Sequence, residues 1–428
     1  MHDHISSKQH TLGLLLFRFF VAYTVLYTLF FPFEIIPYID ELTYIADDAL
    51  QHLIISLSKS LGWVAEDYAD QFSGSGDRTI NYLQLAWYCI FSSIAALIWT
   101  GIDKTNKFYN VIKYCHNTLL RYYLGYKLMI YGFFKIFKSQ FPNTTLDSLV
   151  TPYGEMSPMG VLWRFMGYSE SYNMFAGLAE AIPGLLLFHR RTALLGALLG
   201  IGAMSNVVML NFTYDVPVKL FSTHLLIFLS YLALPHLKDL AQLFVLGRGV
   251  TLNFDQRPKP LLKLDNTPFV ILKVLFIIFM IYSTASVGYK SQRSYGDLRP
   301  KIPFQGLYNA QLFVRNGDTI PPLIGDSTRW RYLAIERQGR STIIMCDGKK
   351  HWLDFSLDTL TNNIYLKSER LGIDSTALSY VSLGDSTLFI RGPIMTDQVF
   401  IELQTVDVDE FNLNKRGFNW INEVPYNR

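Results

Sequence analysis

The sequence predicts an all-α polytopic membrane bundle of about seven transmembrane helices, followed by a soluble all-β sandwich or barrel domain. Seven apolar stretches each have close to the roughly 20 residues that a helix needs to cross a bilayer. Basic residues concentrate in every second connection between them, and short alternating segments replace the apolar runs after residue 290. Half of the residues are apolar and 17% are charged, a mixture that suits a bundle joined to a soluble domain.

The predicted spans occupy the first two thirds of the chain. No small-residue cleavage site follows the first span, so we expect it to stay in place as an uncleaved anchor. The predicted spans are Thr11–Phe33, Ile80–Thr100, Thr118–Lys138, Asn173–His189, Thr192–Phe212, Val218–His236 and Pro268–Tyr289.

The charges of the connections predict how the bundle is oriented. The connection after span 1 holds nine acids against only Lys59 and Arg78. The connections after spans 2, 4 and 6 are basic, and their bases are Lys104, Lys107, Lys113, Arg190, Arg191, Lys238, Arg248, Arg257, Lys259 and Lys263. Because Lys and Arg near span ends are retained in the cytoplasm, we expect a bacterial inner-membrane protein. Its N-terminus would be cytoplasmic and its C-terminal domain periplasmic.

Two long outer connections, 34–79 and 141–172, belong to the predicted helical domain 1–289. Within the first, Leu42–Leu61 carries one apolar stripe at helical spacing, which favours a helix lying on the outer membrane surface. The second is rich in proline, glycine and aromatic residues, which predicts a folded cap with a short helix. Trp and Tyr prefer that interfacial depth.

The predicted extracytoplasmic domain, 290–428, has short alternating strands separated by turns such as Gln338-Gly339 and Asp347-Gly348. This pattern is typical of an antiparallel sandwich or barrel. Cys346 has no second cysteine in the domain, so a disulfide framework is excluded there. The aromatic segment 415–428 is expected to pack onto the domain or onto the outer cap.

Polar side chains recur at similar depth within the predicted spans. Glu180, Asn206 and His224 each lie roughly 8–11 Å below the outer boundary, at 1.5 Å per residue. Charged groups in a bilayer are costly and usually face the bundle interior, so we predict an intramembrane polar site. Its candidate residues are Glu180, His224, Asn206, Lys135, Lys127 and Arg121. Two interpretations stay open, a functional cavity and a purely structural polar layer.

No metal site is predicted. His116, His189 and His236 fall near the predicted inner face, and we interpret them as interfacial residues rather than as ligands of a metal or haem. The chain has no CxxC motif, and a net charge of +3 without a basic block argues against nucleic acid as a partner.

Motifs in spans 3 to 6 resemble those of a known family. They read Arg121-Tyr-Tyr-Leu-Gly125, Gly132-Phe-Phe-Lys135, Gly177-Leu-Ala-Glu180-Ala-Ile-Pro-Gly184 and Arg190-Arg191-Thr192-Ala193. Over about residues 112–237 this pattern resembles the DoxX family of bacterial membrane proteins. That family has a four-helix core and includes a subunit of a thiosulfate:quinone oxidoreductase. The resemblance implies quinone-linked chemistry, on a chain that adds three spans and a β domain.

Two functional hypotheses follow. In the first, a DoxX-like inner-membrane protein has a polar intramembrane cavity that opens outward and is quinone- or lipid-linked. Glu180 and His224 would handle protons while a quinone head group bonds near Asn206. In the second, the chain is a non-enzymatic scaffold or a handler of cargo or lipid, and residues 290–428 bind a periplasmic protein. The sequence leaves open whether the chain is an enzyme.

Overall fold

The computed structural model describes residues 2–71, 76–251, 267–368, 371–384 and 386–427. The chain divides into two compact units. The helical unit comprises Met1–Phe141 and Ser169–Asp297, and the β unit comprises Pro142–Tyr168 and Leu298–Arg428. Of the bases used to predict orientation, Arg257, Lys259 and Lys263 lie outside the described residues.

The helical unit contains nine α-helices within the described part of the chain. They are α1 (His2–Tyr27), α2 (Ile39–Ser60), α3 (Thr79–Ile102), α4 (Tyr109–Ile136), α7 (Glu170–Leu187), α8 (Ala193–Thr213), α9 (Lys219–Ala233), α10 (Leu237–Phe244) and α11 (Thr267–Ser294). Long apolar segments account for α3, α8 and α11, whereas the long helices α2 and α4 also carry several charged residues. The helix predicted in the first outer connection is present as α2.

Four segments in the described residues are long and apolar enough to cross a membrane. They are Thr79–Ile102, Ala193–Thr213, the segment Lys219–Phe244 that joins α9 to α10, and Thr267–Ser294. The apolar part of α1, Thr11–Tyr27, is shorter. Helix α4 carries Arg121, Lys127 and Lys135, and α7 is short and carries two glutamates. The structure therefore shows a helical unit with four candidate spans, fewer than the seven that the apolar stretches predict.

Helices α4 and α7 pack antiparallel, and their backbones are in direct contact at glycine residues. A Cβ placed on Gly132 would lie 2.6 Å from the Gly177 carbonyl oxygen, and one on Gly177 would lie 2.6 Å from that of Gly132. Seven residues away along each helix, a Cβ on Gly184 would lie 2.9 Å from the Gly125 carbonyl oxygen. Glycines seven residues apart on both helices thus form one seam, which small residues make possible within membranes.

The β unit is a closed antiparallel barrel of eight strands. The eight strands of the barrel, together with the short additional strand β2, are β1 (Gly306–Arg315), β2 (Asp318–Thr319), β3 (Trp330–Arg337), β4 (Arg340–Met345), β5 (Lys350–Asp358), β6 (Asn363–Ser368), β7 (Ile373–Leu383), β8 (Thr387–Ile394) and β9 (Asp397–Thr405). The strands from β3 to β9 pair in sequence order, β1 pairs β3 and β9, and the short β2 extends β1 as a hairpin. Of the two predicted architectures, the barrel is the correct one.

Side chains fill the barrel. Buried residues of every strand except β2 form one apolar cluster that includes Phe313, Trp330, Leu353, Phe355 and Ile401. An eight-stranded barrel has an interior just wide enough for such filling. The interior of the barrel is therefore a packed apolar core within the described residues.

The connection 142–168 packs with the barrel, whereas the sequence grouped it with the helices. It contains α5 (Leu146–Leu149) and α6 (Pro158–Tyr168). The Leu146 backbone N–H donates to Glu336 Oε1 at 2.5 Å, and Lys350 Nζ lies 2.6 Å from Asp147 Oδ2. These two bonds attach α5 to strands β3 and β5, and a sequence pattern cannot show such long-range pairs.

The C-terminal segment, which includes α12 (Asn412–Lys415), departs from expectation. Phe418, Trp420, Ile421 and Val424 expose between 75% and 88% of their surface. These side chains do not pack onto the barrel, so the prediction that their apolar character would bury them there is wrong. The segment instead contacts itself, with the Arg416 guanidinium 4.6 Å from the centre of the Tyr426 ring.

Candidate functional site

The helical unit contains a cavity of about 1110 Å³ between α1, α2, α3 and α9. Its lining includes four tyrosines and one histidine from α1, α3, α4 and α9. Helix α2 and the connection that follows it contribute carboxylates, amides and bases, and we call this side the polar end of the cavity. We call the whole cavity the tyrosine cavity. The tyrosines and the histidine are Tyr23, Tyr27, Tyr88, Tyr123 and His224.

Tyr23 and His224 form a hydrogen-bonded pair in the wall of this cavity. His224 Nδ1 lies 2.7 Å from the Leu220 carbonyl oxygen, one turn earlier in α9. Because a carbonyl only accepts, Nδ1 carries the proton and Nε2 is an acceptor. The Tyr23 hydroxyl, 2.5 Å from Nε2, therefore donates to it. The backbone of α9 thus fixes the tautomer, and the imidazole is neutral in this arrangement.

Aromatic stacking holds His224 in place. Its ring lies 4.4 Å from the Tyr27 ring at an interplanar angle of 13°, and Tyr27 in turn stacks on Tyr23. Within the described residues, the hydroxyls of Tyr27, Tyr88 and Tyr123 have no hydrogen-bond partner. Three phenol groups are thus available to a molecule bound in the cavity.

The polar end of the tyrosine cavity is acidic. Four aspartates line it, Asp47, Asp48, Asp70 and Asp77, against the bases Lys59 and Arg78. Burial raises the pKa of Asp47, and a hydrogen bond from Gln51 opposes that rise. An excess of carboxylates repels anions, so this end favours neutral or cationic molecules.

Asp77 ties the connection before α3 to α9. Its Oδ2 accepts from the Lys219 backbone N–H at 2.7 Å, and its Oδ1 accepts from that of Leu220 at 2.9 Å. Lys219 and Leu220 are the first residues of α9, whose initial N–H groups have no partner inside the helix. This aspartate caps α9 from a distant part of the sequence and positions His224 one turn later.

Glu180 and Lys135 form a buried ion pair, separate from the cavity. Lys135 Nζ lies 2.7 Å from Glu180 Oε2, and both residues are at most 5% exposed. The Lys135 ammonium also lies 5.1 Å from the centre of the Tyr131 ring. Glu180 thus meets Lys135, one of the two partners expected for it, and the pair lies beside the seam of glycines between α4 and α7.

The six residues of the predicted polar site do not converge. Lys127 pairs with Glu34 at 2.8 Å, and Arg121 Nε donates to the Leu187 carbonyl at 2.9 Å. Asn206 is exposed on α8. The position of a residue along a helix predicts its depth in the membrane but does not predict the direction of its side chain. Residues at the same predicted depth can therefore contact different neighbours.

The tyrosines of the cavity are not among the site residues that the sequence predicts. Phe19, Tyr23 and Tyr27 recur every four residues along α1 and stack in order, a signal that the sequence did contain. His116 is buried within the helical unit, and its Nε2 lies 2.5 Å from the Thr24 hydroxyl oxygen.

Comparison with known proteins gives one relationship. The "Uncharacterized protein YwoB" of Bacillus subtilis (strain 168) is 33% identical over 110 residues, which cover 25% of this chain and 68% of YwoB. No family model matches the chain. No solved structure matches it. The relationship is clear within that quarter of the chain, and the name of YwoB brings no activity with it.

Proposed function

We propose that this chain, which belongs to the same family as YwoB of Bacillus subtilis, is an integral membrane protein that binds a neutral amphiphilic molecule in the tyrosine cavity. The observation that carries the proposal is the cavity itself. Its volume of about 1110 Å³ is slightly larger than the range for small-molecule sites, about 300–1,000 Å³. Such a volume suits a head group together with part of an apolar tail.

The chemistry of the lining favours a quinone. A quinone is planar and uncharged, and it has two carbonyl oxygens that only accept hydrogen bonds. The hydroxyls of Tyr27, Tyr88 and Tyr123 are donors without a protein partner in the described residues, and their rings provide stacking faces. The acidic end of the cavity would repel an anionic head group, whereas a quinone carries no charge there.

The seven-span bundle is part of this proposal. Helices α1, α4 and α7 would cross the membrane beside the four candidate spans, with their charges paired in the interior. The Lys135–Glu180 and Lys127–Glu34 pairs support that arrangement, because paired charges facing protein cost less in a bilayer than charges facing lipid. In this topology the N-terminus is cytoplasmic, residues 298–428 are periplasmic and the membrane is a bacterial inner membrane.

Membership of the DoxX family is likewise a proposal. The paired glycines of α4 and α7 and the Lys135–Glu180 pair support it, since they give a structural reason for the motifs that suggested the resemblance. Electron transfer does not follow from binding. The Tyr23–His224 pair, whose rings are fixed in the wall of the cavity, would position a bound quinone, and this would be its role.

The test is extraction of the purified full-length protein with organic solvent, followed by mass spectrometry of the extract. We expect quinone at near one molecule per chain, and less from a Tyr27→Phe, His224→Leu double variant. Solubilised host membranes at equal phospholipid content provide the background. Quinone at that background level in both proteins would overturn the proposal and favour the scaffold hypothesis.

A further inference from the structure

A second polar feature of the helical unit lies where α7 ends and α8 begins, away from the tyrosine cavity. Five basic side chains meet there, and none of them lines that cavity. We call this group the basic corner. It consists of Arg121 from α4, His189, Arg190 and Arg191 from the connection, and Lys273 from α11.

Two contacts bring the helices of the basic corner together. Arg121 Nε donates to the carbonyl oxygen of Leu187, the last residue of α7, at 2.9 Å. Lys273 Nζ lies 5.9 Å from the centre of the Tyr122 ring, and Tyr122 follows Arg121 in α4. The two cations therefore flank the start of the connection that carries the other three bases.

Three of the five bases in the basic corner have no carboxylate partner in the part of the chain that the structure describes. No carboxylate there pairs with Arg121, Arg191 or Lys273. The Nη2 atom of Arg121 is buried without a hydrogen-bond partner among those residues. Loss of water and, after it, the neighbouring cations lower the pKa of His189. Like charges held together are costly, so an anion bound here would relieve the repulsion.

Two further features adjoin the basic corner. Helix α8 begins two residues after Arg191, and no side chain caps its first N–H groups, so the positive end of the helix adds to the potential. On α11, the apolar residues around Lys273 expose about half or more of their surface. These residues are Val270, Leu272, Val274 and Leu275. Because α11 is a candidate span, that surface suits acyl chains.

We propose that the basic corner binds the phosphate of an anionic phospholipid, whose acyl chains lie along α11. Arginine binds phosphate through two parallel N–H bonds, which suits Arg121, with one amino group already free, and Arg191. The apolar surface beside Lys273 favours a lipid over free phosphate, which would gain nothing from it. This site is independent of the molecule that occupies the tyrosine cavity.

The test is native mass spectrometry of the full chain in detergent, titrated separately with phosphatidylglycerol, phosphatidylcholine and inorganic phosphate. We expect preferential binding of phosphatidylglycerol. The Arg191→Gln, Lys273→Gln double variant should bind it about tenfold to thirtyfold more weakly, since each base near an anionic lipid contributes about 1 kcal/mol. The matched control, Lys238→Gln with Arg248→Gln, removes two exposed bases outside the corner and should bind as the wild type does.

Three outcomes would overturn the proposal. Equal affinity for the two lipids would show that charge is not recognised, and an unchanged double variant would show that binding occurs elsewhere. Inorganic phosphate that displaces the lipid at equal concentration would make the ligand a free ion. The single variants Arg191→Gln and Lys273→Gln should each lose part of the affinity, and matching thermal unfolding midpoints establish that each variant is folded.

Discussion

Lys135 Nζ lies 2.7 Å from Glu180 Oε2, and this buried pair joins α4 to α7 beside the closest approach of their backbones. Both side chains are at most 6% exposed, so water does not solvate the two charges, and within the described residues each charge is compensated by the other. The pair and the glycine seam together explain why α4 and α7 form the most extensive helix contact of the helical unit. The first two predictions concern this interface.

Removing one partner of the buried pair should destabilise the helical unit. Glu180→Leu leaves the Lys135 ammonium without its carboxylate and should cost about 3–5 kcal/mol of unfolding free energy. The double variant with Lys135→Met should recover most of that loss, because no uncompensated charge remains. Thermal unfolding of the full chain in detergent measures both. A single variant as stable as the wild type would show that the pair is not buried.

Adding one methyl group at the seam should also destabilise the unit. Gly132→Ala places a Cβ 2.6 Å from the Gly177 oxygen and should cost about 1–3 kcal/mol as the helices separate. Gly202→Ala on α8 is the matched control, since no atom lies within 4 Å of its added Cβ. That change should stabilise by about 0.5–1 kcal/mol through helix propensity. Equal effects at the two positions would contradict the close approach.

The tyrosine cavity predicts a specific loss of quinone affinity. Tyr27→Phe removes one free hydroxyl and keeps the ring that stacks on His224, so it should weaken binding of a short-chain quinone about twofold to tenfold. Tyr82→Phe on the exposed face of α3 is the control and should leave binding unchanged. The measurement is calorimetric titration of the purified protein. Equal affinities for all three proteins would mean that Tyr27 does not contact the quinone.

The attachment of α5 to the barrel should weaken in acid. Burial raises the pKa of Asp147, but hydrogen bonds from Lys350 and Thr145 outweigh it and hold the pKa below its ordinary value. A depressed folded pKa gives stability that is present above about pH 4 and lost as the pH falls further. Asp147→Asn should therefore cost about 1.5–3 kcal/mol at pH 7 and much less near pH 3.

Thermal unfolding of the full chain, followed by tryptophan fluorescence between pH 3 and pH 7, measures this difference. Asp318→Asn on the short strand β2 is the control, because Asp318 is exposed and its carboxylate makes no ion pair or hydrogen bond with a described residue. A difference between Asp147→Asn and the wild type that stays constant with pH would show that the carboxylate charge is not responsible.

The proposed topology can be tested by reporter fusions. A reporter joined after Arg248 should report the cytoplasm, and one joined after Gly296 should report the periplasm, because α11 lies between the two positions. The basic connections predict this arrangement. Identical signals at both positions would remove α11 from the set of spans.

The sequence predicted the secondary-structure elements more completely than it predicted the contacts between them. Apolar length located the long helices, and alternation with turn residues located the β domain, because both signals are local and periodic. Closure into a barrel depends on pairing between β1 and β9, about 90 residues apart, and leaves no local trace. Asn206 lies on an exposed face of α8, because the position of a residue along a helix does not determine the direction of its side chain around the helix axis.

The tyrosine cavity could not be predicted from the sequence for the same reason, because it depends on contacts between distant segments. Its wall draws on α1, α2, α3, α4 and α9, and no single segment contains enough of it to be recognised. The stacked Phe19, Tyr23 and Tyr27 were visible in the sequence as an i, i+4 aromatic series. Such a series usually means core packing. Its polar role appears only when His224 of α9 is found beside it.

Closure through β1 and β9 also governs when the β unit can form during synthesis. Until the ribosome has delivered residues 397–405, β1 has one unsatisfied edge and so does β8. Unpaired edges recruit other strands, so a nascent or truncated chain that stops before β9 is prone to aggregate. A stop codon just upstream of Asp397 should thus harm the cell more than one just downstream of Thr405, although the two proteins differ by only nine residues.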